Sequence, residues 1–145
     1  MAEKIEQIFI DSNFLIAIYN PNDGLHKKAS KMVSGLEKFH APFYISNYVF
    51  SEVVTILSQK VGRREAIIAG DNALNSGNFS FTFIDESLQT SSWKIFQEIK
   101  KKNMSFVDCS SLAIMRYMGI RKFLTFDTAD FASLRKNYSF SFVAI

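Results

Sequence analysis

In Ile8-Phe9-Ile10-Asp11-Ser12-Asn13-Phe14-Leu15-Ile16-Ala17-Ile18-Tyr19, three apolar residues are cut off by three cap-forming residues, after which the chain turns apolar again. A short, unbroken apolar run suits a strand buried on both faces, and Asp, Ser and Asn side chains accept from the unpaired N–H groups of a helix's first turn. The stretch predicts a strand over 8–10 that feeds a helix over 14–19, with an acid at the junction.

Moving outward, Pro21-Asn22-Asp23-Gly24 is a turn, and Leu25, Ala29, Met32, Val33 and Leu36 then recur at helical spacing before Pro42. Phe43 to Ile45 predicts a second strand. Ser46-Asn47 opens a helix with Val49, Phe50, Val53, Val54 and Leu57 on one face and Glu52 off it. Further helices are expected over Arg63 to Leu74, Glu86 to Lys102 and Phe106 to Met118. The third of these stops at Gly119, and the second carries Leu88, Trp93, Phe96 and Ile99 toward the core, with Lys100-Lys101-Lys102 at its dipole-favoured end. Phe79 to Ile84 alternates aromatic and hydroxyl residues as an edge strand does. Phe123 to Phe126 is a fourth strand, Thr128 to Leu134 a short helix and Phe140 to Ala144 a closing strand. Strand and helix alternation of this kind demands a mostly parallel sheet with helices on both faces, a three-layer α/β/α sandwich.

Composition agrees. The 145 residues, 48% hydrophobic and 21% charged with 2 prolines and 6 glycines, suit one globular domain over 1–145 and exclude disordered and collagen-like chains. No apolar run reaches the ~18 residues of a membrane span, and the acid-containing Met1 to Glu6 resembles no secretory signal, so a cytoplasmic protein without membrane contact is expected. The single Cys109 fits a reducing compartment and rules out an internal disulfide; buried packing is its expected role. Scattered glycines exclude a phosphate-cradling loop, and His26 and His40 lack a carboxylate partner in sequence. The 15 phenylalanines and Trp93 are expected in the core. The 17 Lys and Arg against 14 Asp and Glu leave a formal +3, gathered in Arg63-Arg64, Lys100-Lys101-Lys102 and Arg121-Lys122 with Arg116, which suits phosphate contact as well as solvated helix ends.

The acids carry the chemistry. Asp11 follows the first strand and Asp127 the fourth, so a parallel sheet delivers both to one edge, where the ligand crevice of such sheets lies. Asp108 opens a helix, Asp130 stands one turn beyond Asp127, and Glu52 approaches the same edge from the helix after the second strand. Each has a structural alternative. Ser105 to Asp108 fits a capping box, Asp127 to Asp130 a self-capped helix start, Asp11 a helix cap and Glu52 a solvated helix position. Their shared placement is what favours a site, because clustered carboxylates repel one another unless a cation neutralises them. Oxygen-only donors suit Mg²⁺ or Mn²⁺. Two such ions roughly 3.5 to 4 Å apart orient a water for in-line attack on a phosphodiester.

The segments Ile8 to Asn13, Phe50-Ser51-Glu52-Val53, Ser105-Phe106-Val107-Asp108 and Leu124-Thr125-Phe126-Asp127-Thr128-Ala129-Asp130-Phe131 resemble, in order and spacing, the PIN domain, notably the VapC-like toxin ribonucleases. The resemblance covers nearly the whole chain, although Arg63 to Asp85 holds no matching motif. It implies the PIN sandwich, with Asp11, Glu52, Asp108 and Asp127 as an acidic quartet for Mg²⁺ or Mn²⁺. Asp130 would be an accessory acid and Asn13 and Thr125 supporting positions. It further implies an endoribonuclease that leaves 5′-phosphate ends, a small antitoxin partner and a homodimer; RNA-processing members are the alternative within the family. A non-catalytic Mg²⁺-binding receiver-like module, with Asp85 after the third strand, is the alternative outside it. That reading lacks a paired acid after strand one and a lysine after the last strand. A haloacid-dehalogenase-like phosphatase is disfavoured by Asn13, where a second aspartate is needed.

Overall fold

The computed structural model describes residues 6–37 and 41–143. Its elements, in chain order, are β1 (Ile8–Ile10), α1 (Ser12–Tyr19), α2 (His26–Glu37), β2 (Phe43–Ser46), α3 (Asn47–Lys60), α4 (Arg63–Asn75) and β3 (Phe79–Thr82). There follow α5 (Glu86–Glu98), α6 (Phe106–Met118), β4 (Lys122–Leu124), α7 (Thr128–Phe131), a 3₁₀ turn (Ala132–Leu134), α8 (Arg135–Tyr138) and β5 (Ser141–Phe142). The five strands form one all-parallel sheet in the order β3-β2-β1-β4-β5, flanked by helices. This is the α/β class expected from the alternation. The Phe79 strand is at an edge, as its aromatic and hydroxyl alternation foretold.

The strand order decides where a ligand can sit. From β1 the chain steps outward through β2 to β3, then returns to build β4 and β5 on the other side of β1. The crevice beyond the carboxyl ends of β1 and β4 is therefore the topological switch point of the sheet. Ile10 pairs with Leu124, and the Asp11 N–H donates to the Leu124 carbonyl at 2.9 Å, so the two strand ends leave the sheet side by side.

β1 is buried along its whole length, and Phe9, Ile45, Phe123 and Leu124 build the interior of the sheet. Phe123 packs edge-on against Phe131 at 4.8 Å and against Phe140 at 5.8 Å, which anchors the short α7 and the C-terminal turn on β4. α6 is buried from Cys109 through Met115, and Gly119 ends it in the left-handed conformation at φ 69°. Among the described residues no helix is long and apolar enough to cross a membrane.

Four sequence expectations are corrected. α5 ends at Glu98, capped by Ile99, so Lys100-Lys101-Lys102 belong to the following loop and not to the helix end. Its buried stripe is Leu88, Ser92 and Ile95, which leaves Trp93 and Phe96 at the surface, 53% and 38% exposed. Ser92 can occupy the core because its hydroxyl donates to the Leu88 carbonyl at 2.6 Å. β4 stops at Leu124 instead of Phe126, and β5 covers only Ser141–Phe142 of the expected 140–144, residue 144 being outside the described residues.

Candidate active site

Asp11 leaves β1 and caps α1. It is 2% exposed, takes the Ser12 N–H on Oδ1 at 2.9 Å and takes the Thr125 hydroxyl on Oδ2 at 2.8 Å. Thr125, just past β4, is itself pinned: its Oγ1 accepts from Asn13 Nδ2 at 3.2 Å and from the Asp127 N–H at 3.0 Å. Asn13 completes the knot, its Oδ1 accepting the Phe126 N–H at 3.1 Å. Side chains from the two strand ends thus replace the ladder that β4 gives up at Leu124. Of the supporting positions expected from the resemblance, Thr125 bonds to Asp11 directly and Asn13 bonds to Thr125.

Removing the Asn13 side chain leaves the half-buried Phe126 N–H without its acceptor and Thr125 Oγ1 with the Asp127 N–H as its remaining donor. Asn13→Ala is expected to cost about 1–3 kcal/mol, checked by urea unfolding of the metal-free protein. An unchanged midpoint would contradict this account of the junction.

Asp108 stands in the first turn of α6, half-buried. The capping box is real: Ser105 Oγ accepts the Asp108 N–H at 3.0 Å, and Asp108 Oδ2 accepts the Ser105 N–H at 2.9 Å. Glu52 on α3 accepts from the Ser12 hydroxyl at 2.5 Å. Asp127 is the exposed residue that precedes α7, and its carboxylate makes no capping bond, so the self-capped alternative does not hold there. A carboxylate can be solvated without such a bond, so Asp127 remains available to a ligand.

The electrostatics tie these acids together. Burial, then the negative charge of Asp108 and more weakly that of Asp127, pushes the Asp11 carboxyl from 3.8 up to about 7, against the lowering effect of its Thr125 and Ser12 hydrogen bonds. Asp108 is raised as well, by burial first, with Glu52 and Asp127 adding to it and the Ser105 bonds opposing. Among the described residues the only ion pair is Lys122 with Glu6 at 3.8 Å, so no lysine or arginine neutralises the group. Asp130 does not figure among the charges that shift Asp11 or Asp108; its N–H bonds to the Asp127 carbonyl along α7. Asp11 thus feels the charges of Asp108 and Asp127, and Asp108 those of Glu52 and Asp127.

Oxygen donors, mutual repulsion and the lack of a counter-cation fit a hard divalent cation in chemical type. Among the described residues, however, no three acidic, His or Cys side chains are gathered closely enough to hold an ion as they stand. Asp108 is turned toward Ser105, whose N–H its Oδ2 accepts.

The remaining candidates separate cleanly. Asp85 is an exposed N-cap accepting the Leu88 N–H at 2.9 Å, beyond an edge strand two places from β1, so it does not join the others. His26 Nδ1 lies 2.7 Å from the Ala17 carbonyl and ties α2 to α1; His40 lies outside the described residues. Cys109 is buried, and burial followed by the charge of Asp108 pushes its thiol up to about 11, so the helix start does not activate it. Two residues make contacts that the sequence did not foretell. Ser12 reaches Glu52, and Lys101 crosses from the α5–α6 loop to donate to the Asp130 carbonyl at 3.1 Å and to the Ser133 hydroxyl. The only signal for Ser12 was its place beside Asp11 at a helix start, where capping explained it sufficiently.

Comparison with known proteins points the same way. The 23S rRNA-specific endonuclease VapC20 of Mycobacterium tuberculosis (strain CDC 1551 / Oshkosh) is 29% identical to this chain over 126 residues, covering 87% of this chain and 92% of the relative. The crystal structure of M. tuberculosis VapC20, described as a Sarcin-Ricin loop cleaving toxin, matches at a TM-score of 0.78 and 28% identity, over 88% of this chain and 95% of that one. FitAcB from Neisseria gonorrhoeae shares the fold at a TM-score of 0.62 and 13% identity, over 95% of this chain and 97% of that one. The PIN domain family matches residues 8–137, a span that runs from β1 into α8 and includes every acid of the crevice. This chain belongs to the PIN domain family.

Proposed function

We propose that this protein is a metal-dependent endoribonuclease, the toxin of a toxin–antitoxin pair, which hydrolyses RNA at the crevice between the ends of β1 and β4. One observation carries the reading: Asp11 is buried at the switch point, within the field of Asp108 and Asp127, and no cationic side chain among the described residues pairs with it. A bound cation would offset the repulsion among these carboxylates. The family membership and the likeness to a 23S rRNA-specific endonuclease over most of both chains select RNA as the polyanion.

In this reading Asp11, Glu52, Asp108 and Asp127 hold Mg²⁺ or Mn²⁺, and Asp130 is an accessory acid. Bound there, a divalent cation supplies activation of water and neutralisation of charge at the attacked phosphate. The chain's own work is positioning. Thr125 and the Ser12 N–H fix the orientation of Asp11, Asn13 fixes Thr125, and Asp11 keeps its proton in the metal-free state only below about pH 7. Lys101, anchored on α7, and Lys28, 6.0 Å from the Phe126 ring centroid, are placed to attract RNA phosphates toward the crevice. A structured ribosomal stem-loop is the substrate class that the similarity supports, and the site of action is the cytoplasm.

The test is an end-labelled rRNA stem-loop incubated with the protein and Mn²⁺, with the product termini mapped. Internal cuts leaving 5′-phosphates are expected; 2′,3′-cyclic phosphates would refute hydrolysis by this site. Expression of the wild type and not of Asp108→Asn is expected to arrest growth, with rescue by a small protein encoded beside it. Growth arrest by both would remove the toxin reading.

A homodimer is part of the same proposal, and the aromatic face of α5 and α6 supports it. Trp93 and Phe96 stack at 5.5 Å and 13°, with Phe106 edge-on to both, in an exposed aromatic cluster. Light scattering should give twice the chain mass. The emission of Trp93, the single tryptophan, should shift to the red on dilution, and Trp93→Ala with Phe96→Ala should give monomers. A monomer at micromolar concentration with fully hydrated Trp93 emission would contradict the dimer.

A further inference from the structure

Glu52 is the weakest-placed of the four acids. It has the longest side chain of the set, it projects from α3 rather than from a strand end, and it is half-buried, so water competes for its carboxylate. Ser12 removes that freedom. Its hydroxyl, on the first residue of α1 and 5% exposed, donates to Glu52 Oε1 at 2.5 Å, while its backbone N–H donates to Asp11 Oδ1 at 2.9 Å. One residue therefore holds two acids that arrive from different elements, Asp11 from β1 and Glu52 from α3. The hydroxyl cannot donate elsewhere at the same time, and it remains fixed because α1 packs on α3.

We infer that Ser12 is a positioning residue for the cation site, setting the place of Glu52 relative to Asp11 through its hydroxyl. The inference rests on the proposed metal-site function and deepens it. Ser12 needs no contact with ion or RNA; it acts through Glu52, as outer hydrogen-bond partners of metal ligands do. The arrangement also explains why a hydroxyl residue follows Asp11, since the Asp11 side chain already caps α1 and the Ser12 side chain is not needed for capping.

The experiment is Mn²⁺ titration of the intact protein followed by electron paramagnetic resonance of the free ion, with no RNA present. Ser12→Ala is expected to weaken Mn²⁺ binding about tenfold. Ser12→Thr should restore it to within about twofold, because the threonine hydroxyl can make the same bond. In a Glu52→Gln background, Ser12→Ala should add almost nothing. Ser12→Cys keeps the volume with a weak donor and should resemble the alanine variant, which covers the case in which alanine fails to fold. Wild-type affinity in Ser12→Ala or Ser12→Cys, or an equal loss with and without Glu52, would overturn the role of Ser12 while leaving the metal site standing. Failure of the wild type to bind Mn²⁺ would instead overturn the metal site itself.

Discussion

Asp11→Asn is expected to raise the melting temperature of the metal-free protein at pH 8 and, in the same chain, to remove its affinity for Mn²⁺. Two opposing effects decide the first outcome. Ionised Asp11 is buried and repelled by Asp108, and holding its carboxyl up at about 7 against an ordinary 3.8 corresponds to a cost on the order of 4 kcal/mol above pH 7. Asparagine removes that cost but offers one oxygen where aspartate offers two. Either the Ser12 N–H or the Thr125 hydroxyl then loses its acceptor, at about 1–3 kcal/mol. The balance favours the variant. Differential scanning calorimetry at pH 8 in chelator checks the stability. A variant less stable than wild type there would mean that Asp11 serves the fold as a cap and not a ligand site.

The second large effect is pH dependence. Below about 3.8 the Asp11 carboxyl is protonated in both folded and unfolded chains; between there and about 7 only the folded chain keeps the proton; above about 7 neither does. Its neutral form therefore stabilises the metal-free fold at low pH, and that contribution is lost as pH rises from about 4 to about 7. A bound cation must displace the proton, so Mn²⁺ affinity is expected to fall about tenfold per unit below pH 7 and to level off above it. Thr125 lowers the Asp11 pKa through its hydroxyl, so Thr125→Val should move the break to higher pH. Calorimetric titration of Mn²⁺ across pH 5.5 to 8.5 reads both. An affinity flat through neutral pH would place the cation elsewhere.

The fold was legible because buried parallel strands appear in sequence as unbroken apolar runs, and Ile8 to Ile10 and Phe123-Leu124 do so. The acids were legible for the same reason, since a parallel sheet delivers the residues after β1 and β4 to one crevice. What escaped depended on side-chain bonding that periodicity does not encode. Ser92 sits in the core because it satisfies its hydroxyl within its own helix, and this turned the α5 stripe away from Trp93 and Phe96. Thr125 and Phe126 read as strand but lie outside it, because Asn13 and the Thr125 hydroxyl take the hydrogen bonds that a ladder would have used. Ser12 escaped because its partner Glu52 is 40 residues away along the chain.

The most direct measurement is cleavage of a labelled ribosomal stem-loop RNA by the wild type and by Asp11→Asn, each in Mg²⁺, in Mn²⁺ and in excess chelator, with folding of both proteins verified by circular dichroism. The account predicts internal cleavage by the wild type in at least one metal, none in chelator, and at least a hundredfold loss in the variant, about the loss expected when a group acting on the reacting centre is removed. Cleavage that persists in chelator, or that Asp11→Asn leaves intact, would contradict an acidic cation centre at the ends of β1 and β4.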